Sequence, residues 1–169
     1  YIWRHDVSGA AGVMINKKCQ QPDFKHICNE GLVHRLPKVN HPVYYGGPIL
    51  TNVVGVLHST EYTLSSTNTL VEGKVGFTLD RKILEEIAKG KGPKNMMITL
   101  GMANWNSGQL EEELEHPRNP AMSWLVMDYD EKFVFGQLDE DKPDDLWESC
   151  VSQAIRNKTR EITSKIFKD

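Results

Sequence analysis

Met96-Met-Ile-Thr-Leu-Gly-Met-Ala-Asn-Trp-Asn-Ser-Gly-Gln-Leu-Glu111 is the stretch on which the reading of this chain turns. Its first five residues are apolar or β-branched and predict a strand over 96–100. Gly101 then opens a segment with one large aromatic, Trp105, and two further small residues, Ser107 and Gly108. A Leu/Glu-rich run follows, predicting a helix over 109–115. The expectation is therefore strand, glycine-containing loop, helix. That arrangement leaves backbone N–H groups at a loop mouth, where ligands often bind. Asn106 and Gln109 have capping-box spacing in amide form. Glu111, Glu112 and Glu113 lie in the first turns of the helix, where they oppose its positive end and compete with any bound anion.

Outward from this stretch, strands are expected over 1–5 and 10–15, joined by the turn Asp6–Gly9, then over 43–45 and 53–58. Two short strands, 65–71 and 74–78, look like a hairpin. Phe24, Ile27 and Cys28 fall at helical spacing between Pro22 and Gly31. Asp80 reads as the cap of a helix that aligns Ile83, Leu84, Ile87 and Ala88 and ends at Gly90. Strands are predicted over 123–127 and 133–135. A last helix is expected, capped by Asp141, with Pro143 in its first turn and a stripe from Leu146 to Ile155. Irregular alternation with hairpin-like strand pairs favours an α+β fold over a doubly wound sheet. The expected organisation is one domain over 1–155, followed by a basic tail over 156–169, with helix and disorder both left open.

The chain of 169 residues has a net charge of −3, unevenly spread. Residues 111–145 hold twelve acids against three bases, so the remainder is positive. Arg156–Asp169 holds five bases against two acids. No basic stripe of the kind that drives nucleic-acid affinity is present, so nucleic acid is not an expected partner. No apolar run approaches the length of a membrane span. Cys19, Cys28 and Cys150 form no C-x-x-C pair, which favours free, mostly buried thiols in a reducing cytosol. His26, Cys28, His34 and His41 match no zinc spacing, and neither a metal nor a cofactor is expected.

Ser107 invites a nucleophile reading, but Trp105 stands where a G-x-S-x-G elbow needs its first glycine. A serine at a helix start is usually a cap. His58 follows an apolar strand and is a candidate base, although a buried, hydrogen-bonded histidine is the plainer reading. Gly46-Gly47-Pro48 is a sharp bend after Tyr44-Tyr45, by default a structural turn and otherwise a pocket rim. Trp105 is either a core plug or a ligand contact.

Three stretches together resemble the AlgH/YqgE family of small bacterial proteins. Arg4-His5 with Ser8–Asn16 is similar to the family's early "EH…GA-x-G-h-h-h-N" strand pair. Val43–Pro48 followed by Val56–Ser59 resembles its "GGP…LH" segment, and Gly101–Glu111 resembles its "GYAGWGPGQLE" signature. Met102 stands in place of a tyrosine, Asn104 of a glycine, and Asn106-Ser107 of a Gly-Pro pair. The resemblance covers roughly residues 1–155. It implies a mixed, strongly bent, barrel-like sheet with flanking helices, and a cytosolic protein. Family members normally begin with a further strand before the position of Tyr1.

The resemblance brings no established activity, only the label of transcriptional regulator, and this chain shows no helix-turn-helix with a basic recognition helix. The favoured expectation is a non-catalytic module that binds a small molecule or a protein. Gly46, Gly47, His58, Asn104, Trp105, Gly108 and Gln109 are expected to line its surface. The alternative is a hydrolase or transferase that uses His58 with Ser107 or Glu111.

Overall fold

The computed structural model describes residues 1–69, 74–116, 124–136 and 144–166. Backbone proximity divides the chain into two compact units, Tyr1–Glu111 and Glu112–Asp169.

The first unit is built on seven strands: β1 (Ile2–Asp6), β2 (Gly9–Gly12), β3 (Val43–Tyr45), β4 (Ile49–Ser59), β5 (Asn68–Thr69), β6 (Val75–Thr78) and β7 (Met96–Asn106). Their hydrogen-bonded order is β1-β2-β7-β4-β6-β5, with β3 also on β7. All pairs are antiparallel except β3–β7. The two ends of this path approach each other, since β1 lies beside β5 and β6. There Trp3 of β1 stacks on Phe77 of β6 with ring centroids 4.5 Å apart. The sheet is thus a nearly closed, barrel-like one, as the family resemblance implied.

β7 is the hub, and it departs from expectation. The strand does not stop at Leu100 but runs on to Asn106. Through Leu100 it pairs with β4, from His58↔Met96 to Val54↔Leu100, and with β3. Past Gly101 it pairs with β2, from Gly12↔Ala103 to Gly9↔Asn106. Gly101 sits at φ 74°, a left-handed conformation that L-residues resist, so the strand turns there rather than ending. The segment expected as an open loop therefore has its backbone N–H groups opposite a partner strand. The turn that remains is Ser107-Gly108 alone.

Alternation along the strands separates two faces. Thr99, Gly55 and Phe77 share one face: the Thr99 hydroxyl donates to the Gly55 carbonyl at 3.4 Å. A Cβ on Gly55 would stand 2.5 Å from the Phe77 ring. Val54, Val56 and Ile98 share the other face and join Phe24, Ile27, Ile83, Leu84, Ile87 and Ala88 in one apolar cluster.

The helices of that cluster are α1 (Phe24–Ile27), which continues into a π-helical turn over Cys28–Leu32, and α2 (Arg81–Ala88). Asp80 caps α2 as expected, accepting from the Lys82 backbone N–H at 3.0 Å. Asp23 caps α1 in the same way through His26. Of the expected hairpin over 65–78, β5 is short, and residues 70–73 lie outside the described ones.

α3 (Gln109–Glu115) begins in the first unit, and its C-terminal part belongs to the second. The second unit otherwise contains α4 (Glu131–Phe135) and α5 (Asp144–Ile166). Two expectations fail here. Residues 124–127 form no strand, and 133–135 are helical. The Asp130 carboxylate accepts from the Lys132 backbone N–H at 3.1 Å, capping a helix where the sequence suggested a turn into a strand. The expected Asp141 cap and Pro143 lie outside the described residues. α5 runs unbroken past Arg156, so residues 156–166 continue the helix.

Candidate functional site

The seven residues expected to line one surface fall in three places. Asn104, Trp105, Gly108 and Gln109 occupy the outgoing end of β7 and the turn into α3. Gly46 and Gly47 cross β7 at its bend. His58 pairs with Met96 at the opposite end of that strand. An extended strand of this length spans roughly 30 Å, and even with the bend His58 is remote from the turn.

The crossing is a backbone-on-backbone contact. The Gly46 N–H donates to the Leu100 carbonyl at 2.7 Å, and its own carbonyl accepts from Met14 at 2.8 Å. A Cβ on Gly46 would lie 2.3 Å from the Gly101 carbonyl oxygen. On Gly47 it would lie 2.2 Å from the Met102 carbonyl carbon, and on Gly101 2.4 Å from the Gly47 oxygen. Three glycines are thus needed for two chains to pass this closely. Gly108 differs: its φ is 75°, and a Cβ there would meet nothing within 4 Å among the described residues.

His58 is fully buried. Its Nδ1 donates to the Ser59 carbonyl at 3.0 Å, in the tautomer that suits that oxygen. Its Nε2 has no hydrogen-bond partner among the described residues. The ring sits where a side chain on Gly76 would be, with Thr67 alongside. Burial pushes its pKa down, against smaller opposing effects of the Ser59 carbonyl and Glu61. It is a neutral packing residue, and the pairing of His58 with Ser107 or Glu111 as base and nucleophile fails on geometry.

The histidine that does meet Glu111 is His5, with Nε2 2.5 Å from Oε1 and both side chains about half exposed. This contact ties β1 to the start of α3. Around it, the Arg4 guanidinium reaches the Asn104 side-chain oxygen at 3.5 Å and the Asp6 carboxylate at 3.8 Å. Asp6 accepts from the Ser8 N–H at 2.8 Å and from the Ser8 hydroxyl. The Ser107 hydroxyl donates to the Val7 carbonyl at 2.8 Å. Gln109 accepts from the Asn106 N–H at 3.0 Å, which is one half of the expected capping box. The Glu111 carboxyl is held below its usual range by its own backbone N–H and then by His5.

The Asp6–Gly9 turn and the Asn106–Gln109 turn thus form one polar rim. Trp105, half-buried, stands opposite Ala10 within it. Sequence reasoning did not assign Arg4, His5 or Asp6 to a site. Arg4 and His5 belonged to a matched motif, but only the β2–β7 pairing brings that motif to the Gly101–Glu111 signature.

A separate cleft of about 330 Å³ is lined by Lys18, Cys19, Gln20, Asp23, Asn40, His41, Pro42 and Val43. Asp23 is already occupied by Asn40 and His26, which hold its pKa well below the usual carboxylate range. The three cysteines are free thiols; Cys28 is buried and Cys19 and Cys150 partly so. Burial pushes each of them up, away from the reactive thiolate. Among the described residues, no cluster of His, Cys, Asp and Glu is arranged to hold a metal ion. Among them, too, no helix is long and apolar enough to cross a membrane.

A bent, nearly closed sheet with helices beside it places the chain among α+β proteins. The chain belongs to the AlgH-like family, whose model matches residues 1–157. A UPF0301 protein of Bradyrhizobium sp. (strain BTAi1) is 34% identical over 152 residues, covering 85% of this chain and 68% of that protein. A UPF0301 protein of Rickettsia akari is 36% identical over 156 residues, covering 89% and 75%. The solution structure of the AlgH protein from Pseudomonas aeruginosa superposes with a TM-score of 0.71 at 28% identity, covering 92% of this chain and 77% of that one. A Corynebacterium diphtheriae protein shares the fold, with a TM-score of 0.58 at 19% identity over 86% and 73% of the two chains.

Proposed function

We propose that this protein is a non-catalytic binding module and that the rim around Trp105 contacts its ligand, a small molecule or a segment of a protein. One observation carries the reading. The groups at the rim that could act as acid, base or nucleophile are engaged internally: Ser107 on Val7, Glu111 on His5, and Asp6 on Ser8. Beside them lie an indole, Trp105, and exposed amides, Asn104 and Asn106, a combination that suits a planar polar group. In this reading Gly108 and Gln109 shape the rim, Gly46 and Gly47 hold the β7 bend behind it, and His58 packs the far end of the strand.

The test is a thermal-shift screen against nucleotides, sugar phosphates, amino acids and short peptides, followed by calorimetry on each hit. A hit should lose about tenfold or more in affinity in Trp105→Ala, with the far-UV circular dichroism unchanged. An unchanged affinity would refute the rim. Turnover of the hit, lost in Glu111→Gln, would refute the non-catalytic reading.

A further inference from the structure

His58 stands on the face of β4 that also carries Val54 and Val56, and its ring lies over Gly76 of β6. A Cβ on Gly76 would stand 2.9 Å from the ring carbon Cε1, 3.2 Å from Nε2 and 2.5 Å from the Thr67 methyl. Nε2 therefore meets a glycine and a methyl group where an acceptor would be needed. A neutral imidazole tolerates that enclosure. An imidazolium does not, because it brings a charge and a second N–H donor into a place fully closed to solvent.

The segment that covers the ring is lightly held. Residues 64–67 form a turn closed on itself, the Thr67 N–H donating to the Leu64 carbonyl at 2.9 Å and the Leu64 N–H to the Thr67 hydroxyl at 3.0 Å. β5 follows with two residues, paired to Phe77 and Gly76. The Ser66 hydroxyl donates to Asp80 at 3.2 Å and lies 3.4 Å from the Thr78 hydroxyl. Ser65, Ser66, Asn68 and Thr69 are exposed. β4 and β7, by contrast, pair without a break from Val54↔Leu100 to His58↔Met96. Opening this strap locally costs less than unfolding the sheet beneath it.

We infer that residues 64–69 are a pH-sensitive strap, closed over neutral His58 and released when Nε2 is protonated. Burial lowers the pKa of His58 from 6.5, so the closed strap is favoured above that value and weakens as pH falls below it. Glu61, on the turn after β4, is the charged group that acts on the ring. β6 faces it with Gly76, the strap with Thr67 and β7 with Met96, none of them titratable. Glu61 and Asp80 are held below the usual carboxylate range, chiefly by the Lys94 and Lys82 backbone N–H groups, so both stay ionised at pH 5. Because β5 also lies beside β1, release of the strap loosens the sheet where Trp3 stacks on Phe77.

Hydrogen exchange of the full chain, read by mass spectrometry at pH 7.5 and pH 5 and corrected for the intrinsic rate at each, tests this directly. Protection of 64–69 should fall about three- to thirtyfold between the two, the upper limit being set by protonation between pH 6.5 and pH 5. β4 and β7 should keep theirs. His58→Gln should remove the difference, and so should His58→Leu, which fills the same place without a titratable nitrogen. Either variant serves once circular dichroism and a retained thermal transition establish that it is folded. A strap already unprotected at pH 7.5, protection that changes less than threefold, a fall shared equally by β4 and β7, or a fall that persists in the folded variants overturns the inference.

Discussion

Gly101 and Gly108 offer an internally controlled test of the β7 bend. Both adopt nearly the same left-handed conformation, at φ 74° and 75°. Their surroundings differ, with a Gly101 Cβ 2.4 Å from the Gly47 oxygen and 3.0 Å from the Ile49 oxygen, and open space at Gly108. Replacing either by alanine imposes the same conformational penalty, about 1–2 kcal/mol for an L-residue in this region. It also gives the same small gain from a stiffer unfolded chain. Only Gly101→Ala adds a steric cost, about 1–3 kcal/mol, because the groups it meets are backbone and cannot swing aside. Gly101→Ala should therefore cost about 1.5–4.5 kcal/mol, and Gly108→Ala about 0.5–1.5. Near 170 residues that is a loss of roughly 5–15 °C in Tm for the first and only a few degrees for the second. Urea titrations followed by circular dichroism measure both. Equal destabilisation, within about 0.5 kcal/mol, would mean that the two chains do not cross tightly at Gly101 and would refute the reasoning.

Other outcomes follow from single contacts. Asp80→Ala removes the α2 cap and should cost about 1 kcal/mol in urea denaturation, with Asp80→Asn recovering most of it. Glu111 is held below the ordinary carboxylate value of 4.5, so the stabilisation it gives is present above that value and is lost as pH falls through the lowered one. In His5→Ala its carboxyl should titrate at higher pH by carbon-detected NMR; an unmoved midpoint would mean that the pair does not persist in solution. His58 is neutral when folded, with a pKa lowered from 6.5 by burial. The unfolded chain then takes up a proton that the folded one does not, and stability falls as pH drops below about 6.5, by at most about 1.4 kcal/mol per unit. That slope should be shallower in His58→Gln, measured by denaturant midpoints between pH 7.5 and 5.

Local signals carried much of the fold. The α2 pattern, the Asp80 cap, β3 and the Gln109–Glu115 helix are visible because each depends on neighbours within a turn or two. The extent of β7 was hidden because glycine within a strand-like run reads as a stop. Here the bend is stabilised by Gly46 and Gly47, more than fifty positions earlier in the chain. The misread segment over 133–135 has the same origin: Phe-Val-Phe suits a strand, but Asp130 caps a helix and the cap prevails. At the rim, the contact that organises the site joins His5 to Glu111, residues 106 apart in sequence. The sequence offered His58 as the partner of Glu111. Only the pairing of β1 with β2 and of β2 with β7 selects His5.

The central claim is that ligand contact falls on the rim between the Asp6–Gly9 and Asn106–Gln109 turns. Amide chemical-shift mapping of the labelled protein, with the hits of the metabolite and peptide screen added in turn, measures that directly. The account predicts shifts concentrated at Arg4–Ser8 and Asn104–Gln109, with the Trp105 indole N–H among the largest. Shifts confined to the cleft around Cys19 and His41, with the rim silent, would contradict it.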